Sequence, residues 1–95
     1  MSMSVGFGKD VIGAHSQDSV DAVVTLVPPA NARRLIVQAV GQNVRFTLDG
    51  TNPTAALGFR LYPNQEPTHV AVLPDMTLKF IEEMVGGSIE YQWGD

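Results

Sequence analysis

Side chains capable of chemistry are few in this sequence, and they do not converge. Histidine occurs twice, at His15 and His69. Ser16 and Asp18 lie beside His15, but a Ser-His-Asp triad is assembled in space, and nearness along the chain supplies neither its hydrogen bonds nor its geometry. The plainer reading is a surface or half-buried histidine. Glu82 and Glu83 are adjacent. Neighbours on a strand point to opposite faces, so these two cannot form the facing carboxylate pair of a glycosidase. Asp49-Gly-Thr-Asn52 has the look of a calcium loop but lacks the alternating ligands and the closing bidentate glutamate. Gly6-Phe-Gly8 lacks the third glycine and the lysine of a phosphate loop. The chain has no cysteine, which excludes disulfides, thiolate metal sites and cysteine nucleophiles. Tyr91 and Trp93 can offer a stacking platform to a sugar. Their alternation with polar residues favours core packing or a partner contact instead. The reading is a non-enzymatic protein with no catalytic residue, no cofactor site and no metal site.

The elements that would position these residues are short strands. Val20–Val27 is rich in valine, and β-branched residues fit a pleated strand better than a helix. Pro28–Pro29 ends it, because proline has no N–H for the ladder. Arg33–Val40 places Leu35, Val37 and Ala39 on one face, and Ile36 and Val40 on the other. Asn43–Leu48 alternates cleanly, with Val44, Phe46 and Leu48 inward. Ala56–Tyr62 repeats that pattern with Leu57, Phe59 and Leu61 inward. Thr68–Leu73, Thr77–Ile81 and Ser88–Trp93 follow, separated by Pro and Gly turns. Leu78, Ile81 and Val85 also fit a helical spacing, so Glu82–Val85 reads as a strand end or one helical turn. No helix long enough for a parallel crossover is visible. Met1 to Ser19 holds three glycines and little periodicity. It reads as an extended arm with a possible short strand at Val11–Ile12. The expectation is all-β: one small antiparallel β-sandwich or jelly-roll-like barrel over residues 20–95, with an extended N-terminal arm over residues 1–19.

Composition bounds the partners. Ninety-five residues suffice for one domain, and 44% apolar residues make it globular rather than disordered. Six Lys and Arg against ten Asp and Glu leave a net charge of −4, with no basic stripe to grip nucleic acid. Four arginines (Arg33, Arg34, Arg45 and Arg60) lie in the central third, flanked by acidic residues on both sides. No apolar run approaches the roughly 20 residues that span a bilayer. Met1 to Ser19 does not read as a signal peptide. Neither nucleic acid nor a membrane is an expected partner.

Asn43-Val-Arg-Phe-Thr-Leu-Asp-Gly-Thr-Asn-Pro-Thr54 is the most distinctive segment. It reads as a strand running into a structured turn. The Asp49 carboxylate can accept backbone N–H bonds one or two residues on, and Gly50 tolerates positive φ. Pro53 fixes its own φ and pushes Asn52 out of the helical region. Together with Ala32, Leu35–Ala39, Ala55, Gly58, Phe80–Glu83 and the closing Ser-Ile-Glu-Tyr-Gln-Trp, this run resembles a group of roughly hundred-residue virion structural proteins of tailed bacteriophages. The resemblance covers about residues 24–93. A similar turn occurs in immunoglobulin-like modules of bacterial glycosidases, but the tyrosines that usually flank it there are missing here.

The resemblance implies a head decoration or cement protein, or else a head–tail or tail component, assembled in the host bacterial cytoplasm and resident in the virion. The implied partners are the phage major capsid protein and further copies of the chain itself, a trimer by analogy. Partner contacts are expected from the arm, at Phe7, Val11 and Ile12. Two loops would add Arg33 and Arg34, and Asp49, Thr51, Asn52 and Pro53. A host-surface glycan bound through Tyr91 and Trp93 is the alternative.

Overall fold

A computed structural model describes residues 11–95 of the chain. Eight strands and no helix occur among them. They are β1 (Val11–Ser19), β2 (Val24–Leu26), β3 (Arg34–Val40), β4 (Val44–Thr47), β5 (Phe59–Leu61), β6 (Thr68–Ala71), β7 (Leu78–Glu82) and β8 (Ser88–Gly94). Two four-stranded sheets result, ordered β1-β8-β3-β6 and β2-β7-β4-β5. Every strand pair is antiparallel.

The pairing is nested. First pairs with last (β1 with β8), then β2 with β7, β3 with β6 and β4 with β5. A chain paired in this way is one long double ribbon. Rolling the ribbon adds the contacts β3·β8 and β4·β7 and closes two sheets over one core. This is the eight-stranded jelly roll. The expected sandwich is therefore present.

Alternation explains which residues fill it. Leu35, Val37 and Ala39 on β3 and Ile89 on β8 point inward from the first sheet. Val44 and Phe46 on β4 and Leu78 and Phe80 on β7 meet them from the second. Val20, fully buried, sits in the β1–β2 connection and not in a strand. Its N–H bonds Gly87 O at 3.2 Å, and its C=O accepts from Glu82 N at 3.0 Å.

The expected boundary at residue 20 is wrong. Val11–Ser19 is a strand of the sandwich, paired with β8 from Val11↔Gly94 to Ser19↔Ser88. A bulge between Ile12 and Ser16 shifts the register, which is why no simple alternation showed there. The helical turn over Glu82–Val85 is not formed either. Glu82 still belongs to β7, and Glu83 N–H bonds Asn43 O at 2.9 Å.

Short connections fix which edges lie together. Residues 20–23 join β1 to β2, and residues 62–67 join β5 to β6, so these pairs of edge strands form the two flanks of the sandwich. One end of the sandwich collects Val11, Gly94 and the connections 27–33, 48–58 and 72–77.

Candidate functional site

One row of apolar residues crosses the second sheet in register: Val24, Phe80, Phe46 and Phe59. All four share the inward face. The Phe46 ring lies 5.6 Å from Phe80, nearly parallel, and 5.6 Å from Phe59, tilted. Exposure rises along the row, from 0% at Phe80 through 7% at Phe46 to 63% at Phe59. Alternation had placed Leu57 and Phe59 inside. Phe59 does face the interior side, but β5 is the outermost strand and nothing among the described residues seals it. Leu57, just before β5, is also half exposed. The two frame an apolar cleft of about 490 Å³ with Phe46, Leu48, Thr51 and Gly58.

The wall of this cleft is the turn that the sequence singled out. Asp49 Oδ1 accepts the Thr51 N–H at 3.0 Å, and Gly50 adopts φ +86°. The hydrogen bonds from the Thr51 hydroxyl and then its N–H hold the Asp49 carboxyl below the usual carboxylate range. Gly50 N–H bonds Thr77 O at 3.0 Å, and the Thr47 hydroxyl donates to Thr51 O. Thr54 and Leu57 exchange two backbone hydrogen bonds, 3.1 and 3.2 Å. The Lys79 ammonium donates to Asn52 Oδ1 at 3.0 Å. The connection returns to the sheet at Gly58, at φ +127°, where a Cβ would stand 2.9 Å from Phe46 O. Only glycine fits so close to the neighbouring backbone.

The outer face of the sheet clamps β5 from behind. Glu83 Oε2 accepts the Nε–H of both Arg45 and Arg60, each at 2.6 Å, and Arg45 also donates to Gly58 O at 2.9 Å. The Arg60 guanidinium, ahead of the Asn43 amide and Arg45, holds the Glu83 carboxyl below its usual range. Considering Glu82 and Glu83 only as a pair missed this cluster, because its members lie far apart along the chain. Glu82 points elsewhere and accepts the Gly87 N–H at 2.9 Å.

The expected contact residues divide. Phe7 lies outside the described residues. Val11 is exposed at the start of β1. Ile12 is half buried and packs against the core. Arg33 is exposed, and its guanidinium donates to Ala32 O at 2.8 Å. Arg34 is half buried, folded over Gly94, with Nη1 3.4 Å from His69 Nδ1. Asp49, Thr51 and Asn52 are exposed on the turn. Pro53, in contrast, is buried within the turn. These described residues all lie at the same end of the sandwich, a convergence that sequence alone did not show.

The remaining candidates do not form a site. Tyr91 and Trp93 face inward, and the Tyr91 hydroxyl donates to Asp18 Oδ2 at 3.0 Å. Burial first, and then this bond, raises the Tyr91 pKa. Neither ring presents a free platform for a sugar. His15 pairs with Glu90 at 2.9 Å on β8, whereas His69 sits on β6, at the opposite edge of the sheet. Among the described residues no group of three His, Cys, Asp or Glu is placed to hold a metal ion. Comparison with protein-family models, curated proteins and solved structures finds no match to this chain.

Proposed function

We propose that this chain is a non-enzymatic structural protein of a tailed-phage virion, which binds the head shell as a decoration or cement protein. The observation that carries the reading is the open end of the phenylalanine row. A small sandwich has little core to spare, yet this one leaves an inward-facing phenylalanine and a neighbouring leucine in water beside a turn locked by hydrogen bonds. Such a surface is completed by another protein. The opportunity for association is built into the fold, while the virion and the capsid protein as partner rest on the resemblance of the Asn43–Gly58 run.

In this reading the connections 27–33 and 48–58 press on neighbouring shell subunits. Each bound copy bridges a boundary, so opening the shell requires breaking both sets of contacts. Interfaces of the obligate kind often bury more than about 2,000 Å². Several copies acting together, a trimer by analogy, would provide it.

Copy number per purified particle tests the proposal. Quantitative mass spectrometry is expected to give hundreds of copies. A ring of about twelve, or a multiple of six, would instead make the protein a neck or tail component, by the symmetry of those assemblies. Absence from purified particles overturns the virion reading.

A further inference from the structure

We infer that a polar hollow beside Tyr62, on the flank where the chain passes from β5 to β6, binds a neutral oligosaccharide. The hollow shares no wall residue with the apolar cleft. The inference goes beyond the structural role proposed above and does not rest on it.

The hollow measures about 490 Å³, within the range of small-molecule sites. Gln38, Arg60, Tyr62, Gln65, Glu66 and Thr68 supply its polar wall. The backbone fixes its shape. The β3·β6 ladder ends at Val37↔Thr68, so Gln38 has no strand beside it on that side. Its Nε2 donates instead to Gln65 O at 2.7 Å and pins the connection 62–67. Pro63 and Pro67 restrict the same connection, and Asn64 takes φ +63°. Arg60 is set in place as well. Its Nε donates to Glu83 Oε2 at 2.6 Å, and its guanidinium lies 5.8 Å from the centre of the Tyr62 ring.

Chemistry and charge select the ligand. Tyr62 is half exposed, and an exposed ring can stack on the C–H face of a sugar. Planar carboxylate, carboxamide and guanidinium groups beside it can reach pairs of neighbouring hydroxyls. Among the described residues no hydrogen bond occupies the Glu66 carboxylate, the Gln65 amide or the Thr68 hydroxyl. Arg60 and Glu66 are the charged members of the wall and have opposite signs, so the hollow favours neither an anion nor a cation. Length enters through a second, shallower hollow of about 70 Å³ on the outer face of the first sheet, walled by His15, Glu90 and Gln92. Gln38 and Pro67 line both hollows, so the two adjoin. A ligand of more than one ring can follow polar surface from Tyr62 to Gln92. The connection 62–67 lies at the end of the sandwich away from connections 27–33 and 48–58, so contacts made there leave the hollow accessible.

Amide NMR of the isotope-labelled full chain tests the site. The probes are maltotriose, cellotriose and mannotriose, the monosaccharides glucose and mannose, and inorganic phosphate. At least one trisaccharide is expected to move the resonances of Gln38, Tyr62, Gln65 and Glu66, with a dissociation constant in the millimolar range and about tenfold tighter than its monosaccharide. Phosphate is expected to move none of them. Tyr62→Ala should weaken the trisaccharide about tenfold with unchanged circular dichroism, Tyr62→Phe should restore it, and Val85→Ser should leave it alone. Glu66→Ala, on the exposed connection, should also weaken it, and serves if Tyr62→Ala folds poorly. The proposal is overturned if no saccharide moves these resonances, or if the shifts centre on Phe59 and Leu57. Phosphate binding as tightly as the trisaccharide overturns it too, as does full affinity in both Tyr62→Ala and Glu66→Ala. None of these measurements involves capsids, so their failure leaves the shell reading standing, and the reverse also holds.

Discussion

Phe80 and Phe59 occupy equivalent places on either side of Phe46. Both face the interior of the second sheet, and both rings lie at the same distance from their shared neighbour. The β7 side of the sheet is covered by the facing sheet, so Phe80 is sealed. Among the described residues nothing covers the β5 side, and Phe59 is left largely exposed. The difference is one of position in the sheet and not of residue type. An inward-facing side chain contributes to folding only as far as something closes over it. Where nothing does, the same apolar area stays against water and adds little to folding. The exposed side is not loose. Arg60 and Arg45 on Glu83 hold β5 from behind, and Gly58 anchors its entry.

Four substitutions set the two sides against each other. Phe80→Ala is expected to cost about 3–5 kcal/mol in urea unfolding, a large part of a small domain's stability. A loss below about 1 kcal/mol would mean that the β7 side is no better packed than the β5 side. Gly58→Ala comes next, at about 1–3 kcal/mol, because it forces a strained backbone and a Cβ against Phe46 O. Its cost should appear as a lower melting temperature, together with a perturbed cleft in amide NMR shifts. Phe59→Ala should change monomer stability by less than about 1.5 kcal/mol, the scale of one aromatic pair. A loss as large as that of Phe80→Ala would show that Phe59 already belongs to the core.

The smallest effect concerns pH. Glu83 has its folded pKa lowered, so its contribution to stability is present above the unfolded value, near 4.3. That contribution fades as pH falls through the still lower folded value. Glu83→Gln is therefore expected to flatten the dependence of the unfolding midpoint on pH below about 4.5. An unchanged slope would show that the arginine pair gives β5 no support.

Much of this fold is legible in the sequence wherever both the period and the cover are local. Leu35, Val37 and Ala39, and Val44 with Phe46, are buried as their alternation indicates. The bond from Thr51 N–H to Asp49 Oδ1 that starts the Asp49–Gly50 turn is local, while the bonds to Thr77 and Lys79 that secure it come from distant residues. The same reasoning fails at β1, where the bulge breaks the period, and the ladder to β8 joins residues 69 to 83 positions apart. It also fails at Phe59. Alternation gives the side a residue faces but not whether a strand lies beyond it. Strand order settles that, and strand order comes from pairing distant segments. The Glu83 cluster was hidden for the same reason, with Arg45 38 positions away.

The nested pairing also has a mechanical side. Val11 lies directly opposite Gly94 on antiparallel neighbours. Tension drawn between those two points would peel the ribbon open rung by rung, at low force. Tension between Val11 and the Met84–Val85 tip at the far end would load the whole β1·β8 ladder in shear, with all its rungs sharing the strain. A copy tethered by its leading segment and gripped at that tip would act as a strut, whereas one tethered at both chain ends would unzip.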